Sequence, residues 1–568
     1  MATFLQTPPE LPDAWASDRL LRETLEFHIG HDLFEAAEPA LAEMGARATA
    51  AETLELARRA EQEPPIHTPY SAWGKRIDEI RVSDAYLALG KWGVEAGVSA
   101  LPYEETQYGD LARVVWAAQH VMWNPSSALY SCPIAMTDAA ARTLLLHGGP
   151  EELPIVEKLT TRDYANAWTS GQWMTETAGG SDVGRTGTIA RLEDGQWRLF
   201  GMKWFTSSTT SEMALTLARP EGAPEGARGL GLFRVNCRLD DGSWNSIVVR
   251  RLKDKLGTRS LPMAELELQG SIAVPIGDPL DGGGVRRIST MLNITRIHNA
   301  LGACGGLARG ISWARAYAQV REMFRVRLAD QPAHQATLAD LAVDYAAALA
   351  LTFRCCELTG RAEHGTASEK ALAVLRGLTP VTKLATAKWA IAGTTEAMES
   401  IGGVGYIEDS GVPAMVRNAH VLPIWEGTTN VLALDLLRAA GRSDALDALL
   451  EDARKAATEA MHEPIVGDTA GVVVDAIEDL ERRAKTVLKD QERGQAGARA
   501  LALGVANTYA AARLCAQATW AAGRGDGRTA AIVQRLVQRG LLPPEPPERL
   551  EIGMDDELPT SAAQPEIR

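Results

Sequence analysis

The chemistry that this sequence offers centres on one acidic residue among apolar neighbours. Glu426 follows the run Val-Leu-Pro-Ile-Trp of residues 421–425 and precedes Gly427. Burial raises the pKa of a carboxylate because the charged form loses hydration, and a raised pKa suits a general base that removes a weakly acidic C–H proton. The alternative is a structural ion pair, for which the sequence offers Arg417. We predict a catalytic base at Glu426.

Two further segments contain residue types that bind a planar ligand. Residues 174–182, Met-Thr-Glu-Thr-Ala-Gly-Gly-Ser-Asp, combine small and hydroxyl residues, which let the backbone approach a ligand closely and donate to its polar edge. Phe205 and Ser207 fall on one face of a predicted strand, where a ring stacks and a hydroxyl reaches the ligand edge. Taken singly, the first segment is more often an ordinary turn, and the second is more often a core aromatic beside a polar loop.

The elements that position these residues follow from hydrophobic periodicity. Residues 20–164 have apolar spacings of three and four, typical of helices, with a long loop predicted around residues 64–71. Residues 171–279 alternate and contain Asp-Gly turns, which indicates antiparallel β structure. Helical sequence then returns, with stretches predicted at Asn299–Arg327, Gln335–Glu363 and Pro380–Glu399.

The resulting fold class is mainly α with a central β domain. We predict an N-terminal helical domain, a β domain, a helical bundle and an extra C-terminal helical domain with a disordered acidic tail. The predicted boundaries are residues 1–168, 169–279, 280–441 and 442–568.

Composition narrows the function classes. The 568 residues carry a formal net charge of −15, which disfavours global attraction to nucleic acid or anionic membrane. Metal-hydrolase, nucleophilic-hydrolase and P-loop motifs are absent from the sequence, and no metal site is predicted. The first nineteen residues lack the pattern of a targeting peptide and no apolar run is long enough to cross a membrane, so a cytoplasmic location is expected.

Five ordered motifs together resemble the acyl-CoA dehydrogenase superfamily over about residues 110–438. These motifs are Met174-Thr175-Glu176 with Gly180-Ser181-Asp182, Gly201-x-Lys203-Trp204-Phe205-x-Ser207, Arg321-x-x-Phe324, Ile401-Gly402-Gly403-x-Gly405-Tyr406, and Ile424-Trp425-Glu426-Gly427-Thr428. The resemblance implies an N-terminal helical domain, an antiparallel β-barrel and a helical bundle. It also implies FAD as cofactor and an acyl-CoA thioester as substrate.

The resemblance assigns roles to individual residues. Met174 and Thr175 would contact the pyrimidine edge of the flavin, Phe205 would pack on the ring and Ser207 would lie near N5. The other implied cofactor-binding residues are Gly180, Ser181, Thr428, Asn430, Arg321, Phe324, Gly402 and Gly403. Of these, Arg321, Gly402 and Gly403 would hold the FAD pyrophosphate and adenosine across a subunit boundary, which implies a homo-oligomer, and we expect a tetramer.

The implied reaction is α,β-desaturation of the thioester. Glu426 would remove the α-proton while the β-hydrogen leaves as hydride to the flavin, and Arg296 with Asn293 would lie beside the substrate. Some branches of the family place the base at the position of Thr295, which cannot act as a carboxylate here. The implied electron acceptor is an electron-transfer flavoprotein, with oxygen left open as the alternative.

Other strings resemble the AidB subfamily of alkylation-response proteins. They are residues 132–137, residues 251–260 and Trp425, together with the extended N-terminus and the fourth helical block. Arg325 departs from that subfamily, which usually has Gly at this position. In the loop that follows, the resemblance implies that either Gln331 or Gln335 contacts the cofactor.

This subfamily is associated with binding of double-stranded DNA through its C-terminal block. Residues 482–540 contain eleven Lys and Arg against three Asp and Glu, whereas residues 442–481 contain three against eleven. The basic segment could neutralise phosphates through Arg482, Arg483, Lys485 and Lys489. A solvated helix face paired with neighbouring acids is the alternative.

Overall fold

The computed structural model describes residues 7–546, so the predicted acidic tail from residue 547 onward lies outside the described residues. Its architecture is mainly helical with one central sheet. The helices of the N-terminal part are Arg19–Ile29 (α1), His31–Ala48 (α2), Ala51–Gln62 (α3), Asp84–Glu95 (α4), Ala112–Trp123 (α5), Ser131–His147 (α6) and Leu153–Leu159 (α7).

A β-hairpin replaces the long loop that was predicted around residues 64–71. Its strands are Ile66–Tyr70 (β1) and Arg76–Arg81 (β2), paired antiparallel. Asp78 is buried in the hairpin, accepts from the backbone N–H of Val249 at 3.1 Å and contacts His67 at 2.9 Å, while Arg76 donates to the Val249 carbonyl at 2.6 Å. The loop prediction was wrong because these contacts to a distant part of the chain stabilise a hairpin that the local sequence only weakly favours.

The central sheet closes into a barrel. Its strands are Ser170–Trp173 (β3), Ile189–Glu193 (β4), Gln196–Ser207 (β5), Met213–Pro220 (β6), Gly231–Asn236 (β7), Ile247–Leu252 (β8) and Met263–Pro275 (β9). Strands β6, β4, β5, β9 and β7 form a ring because β7 pairs back to β6, while β3 and β8 extend it at β6 and β9. The pairs β3–β6 and β4–β6 are parallel, where the alternating pattern predicted antiparallel neighbours throughout.

Five helices form the bundle that packs against the barrel and the N-terminal part. They are Gly284–Val320 (α8), Pro332–Glu363 (α9), Glu369–Ile401 (α10), Val412–Ala419 (α11) and Thr429–Arg442 (α12). The predicted C-terminal limit of α8 at Arg327 was wrong, because a small hairpin of Glu322–Met323 (β10) and Val326–Arg327 (β11) follows Val320. Helix α10 begins at Glu369, well before the predicted start at Pro380. The Ser368 hydroxyl caps it by accepting from the backbone N–H of Ala371.

The C-terminal helical block is confirmed up to residue 546. Its helices are Ala445–Ala460 (α13), Gly467–Val487 (α14), Gln491–Ala522 (α15) and Arg528–Gln538 (α16). Among the described residues one helix, α9, is long and apolar enough to cross a membrane, but most of it is buried in the bundle, as is usual for a core helix. The mainly helical fold with a central barrel is confirmed; the exact domain boundaries stay predictions.

A buried ionic cluster joins the N-terminal helices to the bundle. Arg113 on α5 donates to both carboxylate oxygens of Asp138 on α6, at 2.7 and 2.9 Å, and to Glu363 at the end of α9, at 2.8 and 2.9 Å. His298 on α8 contacts the same Asp138 carboxylate at 2.7 Å. Burial alone would raise the pKa of Asp138, but Arg113 and His298 hold it well below its usual range.

Replacing Arg113 with Met should destabilise the protein by about 3–5 kcal/mol, because two buried carboxylates would lose their counter-charge. Urea unfolding at neutral pH measures the change. Arg191→Met is the matched control, since Arg191 forms an exposed pair with Glu221 whose loss should cost about 1 kcal/mol or less. Equal losses in the two variants would show that the cluster is not a major source of stability.

Candidate active site

A large cavity of about 1880 Å³ lies between the barrel, helix α8 and the turn that precedes α12. The residues that line it come from all three segments singled out in the sequence. They include Met174, Thr175, Gly180, Ser181, Phe205, Ser207, Asn293, Thr295, Arg296, Glu426 and Thr428. Tertiary folding therefore brings the predicted base and most of the predicted cofactor and substrate residues to one place.

Glu426 sits in a left-handed turn held by two cations. Its φ is +55° and that of Gly427 is +102°, so the turn is strained at a non-glycine residue. Lys383, fully buried on α10, donates from Nζ to the Gly427 carbonyl at 2.7 Å. Arg296 on α8 donates from Nε to the Glu426 carbonyl at 3.4 Å and pairs with Asp435 at 3.0 Å. These contacts fix the backbone that carries the carboxylate.

The Glu426 carboxylate has the electrostatics of a base. Burial raises its pKa above the usual value, and hydrogen bonding by Thr295 and Gln172 and the charges of Arg296 and Lys383 only partly oppose that rise. The Gln172 amide on β3 lies 3.4 Å from both carboxylate oxygens.

The alternative ion pair with Arg417 is not formed. Arg417 instead pairs with Glu61, at 2.9 Å, and with Glu408. The Glu426 side chain therefore remains available to the cavity.

A second buried ion pair supports the barrel side of the cavity. Lys203, on β5, is completely buried and donates to Glu176 at 2.8 Å; the Glu176 carboxylate also accepts from the Thr188 hydroxyl at 2.6 Å. In addition, the backbone N–H of Trp204 donates to the Thr175 carbonyl at 2.9 Å. These bonds tie the segment after β3 to β5, so the predicted ligand-binding residues on both face one space.

The barrel side fits a flat cofactor with a polar edge. Phe205 lines the cavity and is 45% exposed, so its ring is open to a ligand there. A Cβ at Gly180 would lie 2.7 Å from the Thr175 hydroxyl, so glycine keeps that hydroxyl accessible. The Oε1 of Gln172 is buried and has no hydrogen-bond partner among the described residues. Donors, an open ring and an unmet acceptor suit an isoalloxazine.

Five predicted cofactor residues lie elsewhere on the surface of the single chain. They are Arg321, Phe324, Gly402, Gly403 and Asn430, all exposed and absent from the cavity wall. Phe324 is 88% exposed and, with Arg325, adopts a left-handed φ in the turn between β10 and β11. Gln331 and Gln335 also point away, since their amides donate to the Met323 and Ala329 carbonyls.

The four predicted DNA contacts lie on the last turns of α14 and just after it. Arg482 pairs with Asp479, and Arg483 lies 3.8 Å from Glu545. Lys485 and Lys489 are exposed and have no ion pair within residues 7–546. Of the other basic residues, Arg524, Arg535 and Arg539 pair with acids on α1 and α9. Part of the basic segment is therefore a helix face paired with acidic residues, which was the alternative to DNA binding.

Lys383 and Gln172 lie beside Glu426 in the candidate site, and none of the sequence motifs indicated them. Neither lies in a motif next to the base: Lys383 comes from the middle of α10 and Gln172 from a short strand. One available signal was that Lys383 is the only charged residue among residues 378–387, because a lysine that becomes buried requires a polar partner.

Comparison with known proteins identifies the family of each domain. Residues 282–441 match the C-terminal domain of acyl-CoA dehydrogenases, residues 171–271 match their middle domain, and residues 6–166 match the N-terminal domain of the adaptive response protein AidB. Acyl-CoA dehydrogenase family member 11 of Caenorhabditis elegans is 43% identical, covering 77% of this chain and 72% of its own length.

Two further relatives extend this comparison. The putative acyl-CoA dehydrogenase AidB of Escherichia coli is 36% identical, covering 73% of this chain and 76% of its own length. The crystal structure of C. elegans ACDH-11 in complex with C11-CoA superposes with a TM-score of 0.91 at 36% identity, covering 96% of this chain and 94% of that one. The chain therefore belongs to the acyl-CoA dehydrogenase family, as an oxidoreductase that uses FAD and acts on CH–CH bonds.

Proposed function

We propose that the protein desaturates an acyl-CoA thioester between its α and β carbons, with Glu426 as the base. The observation that carries the proposal is the Glu426 carboxylate, which lines the same cavity as Phe205 and Ser207 and whose pKa burial raises. A base of this kind removes an α-proton that the thioester carbonyl acidifies. The complex of the C. elegans relative with C11-CoA supports an acyl-CoA substrate.

The chain's own residues orient and tune this base. Arg296 and Lys383 hold the backbone on either side of the carboxylate, and their positive charges favour its ionised form. Thr295 has a hydroxyl and no carboxylate, so it cannot replace Glu426 as the base; its hydroxyl lies 3.1 Å from the carbonyls of Met291 and Leu292 and also stabilises the ionised form of Glu426. Asn293 and Arg296 would position the substrate.

FAD, when bound, supplies the acceptor for the β-hydrogen as hydride. Met174, Thr175, Gly180, Ser181, Phe205, Ser207 and Thr428 would hold it from this chain. Arg321, Phe324, Gly402 and Gly403 would reach it from a second copy, because they are exposed beside the apolar residues Met323, Val404, Tyr406 and Ile407. We propose that this second copy belongs to a homotetramer. As expected from the sequence, we also propose a cytoplasmic location and an electron-transfer flavoprotein as the electron acceptor.

Glu426→Gln should keep FAD and still bind acyl-CoA, but the flavin should no longer bleach under anaerobic conditions, or should bleach at least about 10²–10⁴-fold more slowly. Stopped-flow absorbance with a panel of acyl-CoAs measures the rate. Glu193→Gln, which changes an exposed acid of the barrel, is the control and should bleach normally. Normal bleaching in Glu426→Gln would remove this residue from the mechanism.

Lys383→Met should move the acidic limb of the kcat/KM profile to higher pH. The base works deprotonated, and loss of a nearby positive charge raises the pKa of Glu426, so activity is lost earlier as the pH falls. Burial lowers the pKa of Lys383 to about 7, so its charge acts mainly at and below neutral pH. Lys383→Arg keeps the charge and should keep the limb. A lower kcat with an unmoved limb would mean that Lys383 only packs.

Binding of duplex DNA is the second candidate function. Lys485 and Lys489, exposed and without an ion pair in the described part of the chain, favour it, as does the match of the N-terminal residues to the AidB domain. The net charge of −15 and the ion pairs of the other basic residues oppose it.

Lys485→Gln combined with Lys489→Gln should lower the salt slope of duplex binding by roughly 0.9 for each phosphate that the protein no longer neutralises. Fluorescence anisotropy at several salt concentrations measures the slope. Lys455→Gln, an exposed lysine on α13 that contacts Glu459, is the control. No binding by the unmodified protein at low salt would end this candidate.

A further inference from the structure

The cavity continues past the base along helix α8. Asn299, Gly302, Gly306, Arg309 and Trp313 all line it, and their spacing places them on one face of the helix. Gly306 has no atom other than a Thr394 methyl within 4 Å of where a Cβ would be. Thirteen residues separate Arg296 from Arg309, so this arm extends about 20 Å beyond the base.

The two arms of the cavity differ in polarity. Around Arg296 the wall is polar and basic, with Ser289, Asn293, Arg376 and Arg438, which suits the phosphates of coenzyme A. The far arm has a largely apolar wall that suits an acyl chain: Leu54, Ala57, Pro125, Ala128, Leu129, Trp313 and Met415. Its rim charges pair with one another, Arg58 with Glu55 and Arg417 with Glu61 and Glu408.

Arg309 is the exception in this arm. Among the buried arginines of residues 7–546, Arg113, Arg234 and Arg287 each pair with a carboxylate, whereas Arg309, 9% exposed, has none within 4.0 Å. Desolvation lowers its pKa to about 10, and no acidic group opposes that shift. A buried guanidinium without a counter-charge is costly, which points to an anion that binds there.

Capping of helix α2 uses only one of the three nitrogens of the Arg309 guanidinium. Its Nη2 donates to the Ala48 carbonyl at the end of α2, at 3.2 Å, and to the Ser126 hydroxyl at 2.7 Å. Nε and Nη1 donate to no atom of the described residues and are not sealed from the cavity. On the same wall, nearer to the base, Asn299 is 7% exposed and its side-chain amide oxygen and nitrogen have no hydrogen-bond partner among the described residues. Two polar groups with unmet hydrogen-bonding atoms therefore lie along a largely apolar wall.

We propose that Arg309 is the end of a specificity subsite that binds the distal carboxylate of an ω-carboxyacyl-CoA. This inference rests on the proposed function, because it requires the thioester at Glu426 and the chain in the far arm. A fully extended chain advances about 1.25 Å per carbon for bonds near 1.5 Å, so roughly 10 to 16 carbons reach Arg309. Because Nη2 is already used by Ala48 and Ser126, Nε or Nη1 would donate a single charge-assisted hydrogen bond to the carboxylate.

The test compares ω-carboxyacyl-CoAs with plain acyl-CoAs of equal length, from roughly 8 to 16 carbons, on the FAD-loaded enzyme. The carboxylated chain should be favoured in kcat/KM at one length within this range. Arg309→Gln should lose about tenfold to a hundredfold on that substrate, the size of a charge-assisted hydrogen bond, and keep its rate on the plain chain. Calorimetric binding of both ligands gives a second readout that does not need turnover.

Two control variants separate the subsite from capping. Arg309→Lys keeps the charge and should retain part of the preference, and Arg58→Gln, which removes a charge from the rim, should retain all of it. An equal loss on both substrates in Arg309→Gln would show a structural role only and overturn the subsite. So would a preference for plain chains at every length. If neither substrate is turned over, the proposed function fails; equal affinities of the two ligands would then also reject the subsite.

Discussion

The Arg113–Asp138 ion pair is the contact on which the placement of the site depends. It is buried and bidentate, and it joins α5, α6, α8 and α9 through Glu363 and His298. His298 lies on the part of α8 that lines the cavity, one turn from Thr295 and Arg296. Because a buried charge cannot move away from its partner without a large desolvation cost, the cluster holds α8 at a fixed position against the N-terminal helices.

Strain at the base is supported by contacts from outside its own turn. Glu426 adopts a left-handed conformation that a non-glycine residue tolerates only when its surroundings fix it. Lys383 from α10 and Arg296 from α8 provide that support and also oppose the rise in the pKa of the carboxylate that burial causes. The same two cations thus determine both where the base points and how readily it is ionised.

In the proposed function, the site of a single chain is completed by a second copy on one side and extends along α8 on the other. The exposed Arg321, Phe324, Gly402 and Gly403 become cofactor ligands only if a second copy packs against them, which the sequence resemblance implied and the apolar surface around them supports. In the other direction, the glycines of α8 open an arm that runs past Arg309 to Trp313. One long helix therefore contributes the wall of both the reaction site and the proposed chain-end subsite.

The sequence by itself determined the order of helical and β segments and was enough to predict the base and the cofactor face, because hydrophobic period and short motifs are local properties of the chain. Glu426, Phe205 and Ser207 could be singled out as candidates for that reason. Tertiary structure decided the roles of Lys383, Gln172 and Arg309, the failure of Arg417 to pair with the base and the hairpin at residues 66–81. Each of these depends on which distant groups become buried together, and burial is what fixes the partner and the pKa of a polar side chain.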